Sequence, residues 1–208
     1  MISFAEYGNS DPNKSPLRLQ PQPGRLTQHW VHGGQLLQPD LAPLAGLDLR
    51  ADGVMVFAAA MKPGPLDVFQ SKGKEFTAGL WNGNVVELFL LNPDNNRYLE
   101  VHLAPTAQWW ACVFTAVRVR ETEENRPLPL SLVQHHRDKK GRNWQASLQV
   151  PAKVICQLLG AAGFMHLRAN LTAITRPLTG PPCYFSLAAL PGTKPDFHQP
   201  DAWLELAR

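Results

Sequence analysis

The stretch from Gly79 to Phe114 constrains the fold more than any other part of this chain, because it alternates like three consecutive β-strands. Strands are predicted over Val85–Leu91 and Tyr98–Leu103, joined by the turn Asn-Pro-Asp-Asn-Asn-Arg at 92–97. Asparagine, aspartate and proline are residues that reverse a chain between strands. The stretch therefore predicts a β-hairpin followed by a third strand.

One face of this hairpin carries charged groups at positions where a sheet face is normally apolar. Because side chains alternate between the two faces of a strand, Glu87 and Phe89 share a face of the first strand. Tyr98, Glu100 and His102 share a face of the second. Closing the hairpin brings Glu87 near His102 and Phe89 near Glu100, and the exact register is left to be decided by the turn. The opposite face of the second strand is apolar and is expected to face a core: Leu99, Val101 and Leu103.

The rest of the chain predicts an all-β fold, an antiparallel β-sandwich in a single domain over residues 1–208. Nineteen prolines and fifteen glycines separate short alternating segments, which favours many strands over a helical bundle. One short helix is predicted over Ala152–Leu159, opened by Pro151 and stopped by Gly160. Residues 1–24 are expected to form an extended, proline-rich N-terminal strap.

A second polar stripe is predicted on the strand Phe164–Ile174, whose even positions His166, Arg168 and Asn170 are polar while the odd positions are apolar. Buried charges must be paired or must line a wet cleft. The remaining strands are predicted at Leu26–Val31, Gln35–Leu37, Val54–Ala60, Leu130–Gln134, Trp144–Val150, Tyr184–Leu187 and Trp203–Leu206.

The net charge bears on which partners the protein can bind, and the cysteines bear on the compartment in which it resides. A net charge of +3 without a clustered basic face predicts neither nucleic-acid nor membrane binding. Cys112, Cys156 and Cys183 are odd in number and lack metal-ligand spacing, so a reducing compartment is expected. The N-terminus shows no signal-peptide pattern, so the expected location is cytoplasmic. No cofactor is predicted. The oligomeric state stays open.

Five segments follow the order and spacing of DOMON-like proteins that are similar to family nine carbohydrate-binding modules. They are LWNGNVVELFL, YLEVHLAPTAQWWACVF, WQASLQVPAKV, LRANLTAI and CYFSLAALPGTKPDFHQPDAWLEL. The resemblance covers the chain from about Leu36 to the C-terminus.

This resemblance implies a β-sandwich that holds a small saccharide between aromatic rings, with carboxylate, arginine and asparagine contacts. Trp81 looks like the family's stacking tryptophan and Glu87 like its sugar-binding glutamate. Arg168 and Asn170 look like its R-x-N pair, and Phe185 or Tyr184 stands where its late aromatic residue lies. The complete set of candidate ligand-binding residues is Trp81, Glu87, Glu100, His102, Arg168, Asn170, Phe185 and His198.

Structural roles are open for several of these residues. Glu87 or Glu100 could form an internal ion pair with Arg168, since ion-pair networks also place charges inside proteins. His198 could belong to a turn held by Asp196.

Two further functions remain open beside a non-catalytic saccharide binder, which the sequence favours. Glu87 and Glu100 could form a retaining glycosidase pair, which needs carboxyls about 5 Å apart. Haem binding, known in some DOMON relatives, would need axial ligands from His102, His166, Met165 or Met61.

Overall fold

A computed structural model of the protein describes residues 17–18, 44–50, 53–60, 75–104, 106–121, 128, 130–137, 144–176, 182–192 and 195–206. For 17–18, 44–50, 53–60, 131–137 and 144–145 the description covers the backbone alone. These residues form two antiparallel β-sheets that pack face to face, together with one short α-helix. The all-β sandwich predicted from the sequence is confirmed.

The first sheet has the strand order β1-β2-β3-β9-β8 in the described residues. Its strands are β1 (Leu17–Arg18), β2 (Leu44–Arg50), β3 (Gly53–Ala60), β8 (Ser131–Arg137) and β9 (Trp144–Pro151). The short strand β1 belongs to the predicted N-terminal strap and pairs with β2. The other strap residues, and the strands predicted at 26–31 and 35–37, lie outside the described residues.

The second sheet has the order β11-β10-β4-β5-β6-β7, and β12 also pairs with β10. Its strands are β4 (Val85–Asn92), β5 (Arg97–Leu103), β6 (Trp109–Ala116), β7 (Val119–Arg120), β10 (Arg168–Thr175), β11 (Cys183–Ser186) and β12 (Leu204–Glu205). In the β4–β5 hairpin, Glu87 lies opposite His102 and Phe89 opposite Glu100, which confirms the predicted register.

The main core lies between the sheets. It is built from the inner-facing side chains of β4, β5, β6 and β10, which pack against Ala146, Leu148 and Val150 of β9. Leu99, Val101 and Leu103 of β5, predicted to face a core, belong to it, as do the apolar odd positions of β10. Because each strand alternates, the next residue along each of these strands points to the outer face of the second sheet.

The helix α1 spans Ala152–Leu159, the bounds expected from the sequence, and it ends at Gly160 in the left-handed conformation at φ 63°. Its last carbonyls are capped from the distant β4–β5 turn. Asn92 Nδ2 donates to the carbonyl of Leu159 at 3.1 Å and Asn95 Nδ2 to the same oxygen at 2.9 Å. The asparagines of the turn therefore do more than reverse the chain, since they satisfy acceptors that a helix end leaves open.

One predicted strand begins later than expected. Residues Phe164–His166 form a 3₁₀ helix, closed by a hydrogen bond from Leu167 N to the carbonyl of Phe164 at 3.2 Å, and β10 starts only at Arg168. His166 is therefore an exposed helix residue and not part of a polar strand face. In the described residues no helix is long and apolar enough to cross a bilayer.

Candidate ligand-binding site

A cavity of about 440 Å³ opens on the outer face of the second sheet. Strands β4, β5 and β6 form its floor, and the segment 195–198 near the C-terminus forms part of its wall. The lining residues are Trp81, Glu87, Phe89, Glu100, His102, Trp110, Phe114, Arg118, Arg120, Ile174, Tyr184, Pro195, Phe197 and His198. The cavity therefore combines aromatic rings with acidic and basic groups.

Two tryptophans form one aromatic wall of the cavity. The Trp81 ring meets that of Trp110 edge to face, with centroids 6.0 Å apart. The guanidinium of Arg120 lies 5.4 Å from the Trp110 ring centre, within the range of a cation–π contact. Arg176 positions this wall, because its Nη2 donates to the carbonyl of Trp81 at 3.1 Å.

Glu87, Glu100 and His102, called here the Glu–His cluster, lie together on the cavity floor. His102 Nε2 donates to Glu100 Oε1 at 2.7 Å and lies 3.5 Å from Glu87 Oε1. The other oxygen of Glu87 accepts a hydrogen bond from the Thr172 hydroxyl at 3.0 Å. All three cluster residues are buried, with exposed fractions of 1–6 %.

Burial dominates the electrostatics of the cluster. It raises the pKa of Glu87 to about 7, against the lowering influence of His102. Burial alone would lower the pKa of His102, but Glu87 and Glu100 outweigh it and raise that pKa above its usual value. Both shifts follow from placing two carboxylates and an imidazole close together and away from water.

A second imidazole faces the cluster from the C-terminal segment. The Tyr98 hydroxyl accepts a hydrogen bond from Arg118 N at 3.0 Å and lies 2.8 Å from His198 Nδ1. Burial lowers the pKa of His198, which favours its neutral form. In the neutral tautomer in which the Tyr98 hydroxyl donates to Nδ1, Nε2 carries the imidazole hydrogen. This nitrogen lies 3.8 Å from Glu100 Oε2, which is too far for a direct hydrogen bond.

Several buried polar atoms around the cavity lack a hydrogen-bond partner in the part of the chain that the structure describes. They include Glu100 Oε2, His102 Nδ1 and Trp110 Nε1. Most buried polar groups in proteins are hydrogen-bonded, so such atoms indicate a place where a ligand or water completes the site. The group contains a carboxylate acceptor and an indole donor within one cavity lining.

The C-terminal segment is held to this face by an ion pair and is shaped by a turn. Arg118 Nη2 forms an ion pair with Asp196 Oδ1 at 2.8 Å, and the same oxygen accepts a hydrogen bond from His198 N at 3.0 Å. The turn through Asp196 expected from the sequence is therefore present. The same residue, His198, takes part in this turn and places its ring beside Tyr98 at the cavity. A structural role in the turn and a place in the site are therefore compatible.

Five of the eight candidate residues taken from the sequence line the cavity: Trp81, Glu87, Glu100, His102 and His198. The structure does not bring the other three to it. Asn170 lies on the expected strand face, but its side chain is fully buried. Its Nδ2 donates to the Ser186 hydroxyl, and its Oδ1 accepts a hydrogen bond from Ala188 N. Arg168 lies at the start of β10, opposite Leu91 and Glu205, and Phe185 belongs to the core between the sheets.

Other lining residues were not among the candidate ligand-binding residues taken from the sequence. Trp110 faces the cavity because it lies opposite His102 in the β5–β6 register, while its neighbour Trp109 enters the core. Extending the alternation of β5 into β6 would have found it. Arg118 and Arg120 reach the cavity only because the chain turns sharply at Arg118, which has a φ of 62°.

The haem ligands considered from the sequence do not meet among the residues that the structure describes. His102 lies in the cavity, whereas Met165 and His166 are exposed on the 3₁₀ helix and do not line it. Met61 lies outside the described residues. The described residues therefore offer no pair of these ligands on one cavity.

Comparison with known proteins places the fold. No protein-family model matches this chain. The mouse UPF0462 protein C4orf33 homolog is 35% identical over 89 residues, which are 43% of this chain and 41% of that protein. The chain thus matches less than half the length of this curated relative.

A solved structure has the same fold over most of the chain. It is the crystal structure of a "putative carbohydrate-binding protein" from Bacteroides uniformis, with a TM-score of 0.56 and 12% sequence identity. The similarity covers 78% of this chain and 76% of that one. At this identity the similarity shows the class of fold, a β-rich sandwich with antiparallel sheets.

Proposed function

We propose that this protein binds a small saccharide in the cavity on the outer face of its second sheet and does not cleave it. The recognition mode is the one that the resemblance to family nine carbohydrate-binding modules implies, in which aromatic rings and fixed polar groups share the contacts. Arg168 and Asn170 are not part of this proposal, because they do not line the cavity.

The observation that carries the proposal is the gap between Glu100 and His198. Glu100 Oε2 is a buried acceptor without a partner in the described residues, and His198 Nε2 lies 3.8 Å away and donates when the Tyr98 hydroxyl donates to Nδ1. A hydroxyl oxygen can lie about 2.7–2.9 Å from both atoms, donating to the carboxylate and accepting from the imidazole. Alcohol groups perform both roles at once, and a saccharide is rich in them.

The walls of the cavity suit the rest of such a ligand. Trp81, Trp110 and Tyr184 offer apolar ring surfaces, and a pyranose presents an apolar face made of C–H groups. Trp110 Nε1 adds a donor that can bond to a ring or hydroxyl oxygen. A volume of about 440 Å³ lies within the usual range of small-molecule sites, which is about 300–1,000 Å³. The carbohydrate-binding description of the structural neighbour further supports this ligand class.

Isothermal titration with a panel of mono- and disaccharides tests the proposal. We expect one saccharide per chain, and we expect Glu100→Gln to weaken binding by 1.5–3 kcal/mol, roughly 10- to 150-fold, because a charge-assisted hydrogen bond is lost. Glu121→Gln is the matched control, since Glu121 pairs with Arg97 and does not line the cavity. Binding of no saccharide by the wild type, or equal losses in both variants, would refute the proposal.

Retaining glycoside hydrolysis is a second candidate, favoured by one distance. Ligand atoms of Glu87 and Glu100 lie within 4.8 Å of each other, close to the spacing of about 5 Å between the carboxyls of retaining enzymes. However, the His102 ring bonds to Glu100 and lies 3.5 Å from Glu87, so it occupies the space where a sugar carbon would react. This position favours binding over cleavage.

Assays with 4-nitrophenyl glycosides separate the two functions. A binder should release no nitrophenol, either as wild type or as Glu87→Gln. Turnover by the wild type that disappears in Glu87→Gln, while the glycoside still binds to the variant, would establish the hydrolase and overturn the binder.

A further inference from the structure

We infer that the Glu–His cluster is a site for one divalent transition-metal ion of the zinc class, lying in the floor beneath the proposed saccharide site. Three observations support a metal site here: the convergence of the donor atoms, the charge of the cluster, and an unpartnered oxygen on its cavity side.

The strand register brings the donors together. Glu87 lies directly opposite His102, and Glu100 lies two residues before His102 on the same face of β5. Each residue offers one ligand atom, and these atoms all lie within 4.8 Å of one another. Because the donors stand on two paired strands and not on loops, their spacing is fixed by the sheet itself.

The carboxylates of the cluster lack a close lysine or arginine in the described part of the chain. Among the described residues, the only basic groups within 4.0 Å of either carboxylate are imidazoles: His102 for both, and His198 for Glu100. A histidine carries at most one positive charge, whereas Glu87 and Glu100 together can carry two negative charges. Buried charges in proteins are either paired or coordinated to metal ions, so a divalent cation matches this donor set.

Glu100 supplies the independent sign of a ligand. Its Oε2 atom is buried, has no hydrogen-bond partner in the described part of the chain, and lies on the side of His198. Glu100 as a whole is 6 % exposed and lines the cavity. One of its oxygens can therefore bind an ion while the other contacts a ligand above it, or both can bind the ion.

One imidazole nitrogen and two carboxylate oxygens suit zinc better than calcium or magnesium, which prefer oxygen alone. A tetrahedral zinc ion places its ligand atoms roughly 3.4 Å apart. The separation of 3.5 Å between His102 and Glu87 already fits. The 2.7 Å hydrogen bond to Glu100 must lengthen, with release of the proton that it holds. Three protein ligands leave the fourth position for water or a ligand hydroxyl.

Zinc titration of the chelator-stripped protein by calorimetry tests the inference. We expect one Zn²⁺ per chain and, with His102→Gln, a loss of affinity of at least about 100-fold, since even the loss of an outer-shell partner weakens binding about 10–100-fold. His166→Gln is the matched control, because His166 is exposed and does not line the cavity. Glu87→Gln and Glu100→Gln provide the same test if His102→Gln does not fold.

X-ray absorption of the zinc-loaded wild type tests the site without any substitution. The first shell should contain imidazole nitrogen and carboxylate oxygen and no sulfur. Sulfur ligands, a stoichiometry of zero, or equal zinc affinity in His102→Gln and wild type would each overturn the inference. Saccharide titration in the presence of chelator is scored separately, so that the failure of the metal site and the failure of the saccharide site give different results.

Discussion

The two faces of the second sheet are both buried, but they differ in whether their buried atoms have partners. On the inner face, Leu88 of β4 and Leu99 and Val101 of β5 are fully buried in apolar contacts. On the outer face, Glu87 and Glu100, each one residue away from an inner leucine, are buried with charge. These inner-face side chains are apolar and pack within the main core. The outer face retains polar atoms that no described residue satisfies.

This difference is the one expected if the inner face provides stability and the outer face provides the proposed ligand-binding site. Close packing makes the inner face sensitive to every lost methylene. Buried polar groups contribute little net stability, and their retention at the cavity is better explained by a ligand. Substitutions on the two faces should therefore have opposite signatures, and the following four predictions run from the largest effect to the smallest.

Truncating the inner face should have the largest effect. Leu88→Ala removes a fully buried side chain from the main core, and we expect the free energy of unfolding to fall by about 2–5 kcal/mol. Urea denaturation measures this change. Saccharide affinity, measured where the variant is still folded, should stay within about twofold of the wild type, because Leu88 does not line the cavity. A loss below 1 kcal/mol would show that the inner face is not the main source of stability.

Making the outer face apolar should have the opposite effect on stability. The triple variant Glu87→Met, Glu100→Met, His102→Leu replaces the Glu–His cluster by side chains of similar size. Because such replacements are often neutral or stabilising by about 1–4 kcal/mol, we expect unfolding in urea at the same or a higher concentration than the wild type. Ligand and zinc binding should disappear. If this variant is destabilised as strongly as Leu88→Ala, the cluster is a structural network and the contrast between the faces is lost.

Removing the helix cap should have an intermediate effect. Asn92 is 2 % exposed and donates to the carbonyls of Leu159 and Gly160. Asn92→Ala therefore leaves the Gly160 carbonyl without this donor and the Leu159 carbonyl with Asn95 alone. We expect thermal or urea unfolding to report a loss of about 1–3 kcal/mol. Ligand affinity should not change, since Asn92 does not line the cavity. A variant as stable as the wild type would show that water caps the helix equally well.

Removing the hydroxyl that orients His198 should have the smallest effect. Tyr98→Phe deletes the hydrogen bond to His198 Nδ1, and we expect saccharide affinity to fall by roughly 2- to 12-fold, equivalent to 0.5–1.5 kcal/mol. Calorimetry on Tyr98→Phe, His198→Gln and the double variant measures the coupling. Strictly additive losses would mean that Tyr98 does not act through His198.

Local signals in the sequence were sufficient for the hairpin and the helix. The alternation around Glu87 and Glu100, with the asparagine-rich turn between them, predicted which side chains share a face, because a slip by one residue would have exposed the apolar face. The exact register was left open, because the turn decides it. Likewise Pro151 and Gly160 predicted both ends of α1. Proline lacks the N–H that a residue inside a helix donates, so it is found at a helix start, and glycine readily adopts the left-handed conformation that ends a helix.

The composition of the site was only partly predictable, because it depends on which part of the outer face is covered. Arg168, Asn170 and Glu87 share that face, yet Asn170 is sealed by residues 186–188 while Glu87 faces the open cavity. The covering segments are distant in sequence and irregular in structure. Alternation determines the face of a residue, but it contains no information about the loop that will lie above it.

The cap of α1 also has a consequence for the order of folding. The helix has only eight residues, and its terminal carbonyls receive hydrogen bonds from Asn92 and Asn95, 64 to 68 positions earlier in the chain. A helix this short is marginal by itself, so it should become persistent only after the β4–β5 hairpin has formed. Pulse-labelled amide exchange during refolding should protect the β4–β5 hairpin before α1. Protection of α1 first would show that the helix forms without the turn that caps it.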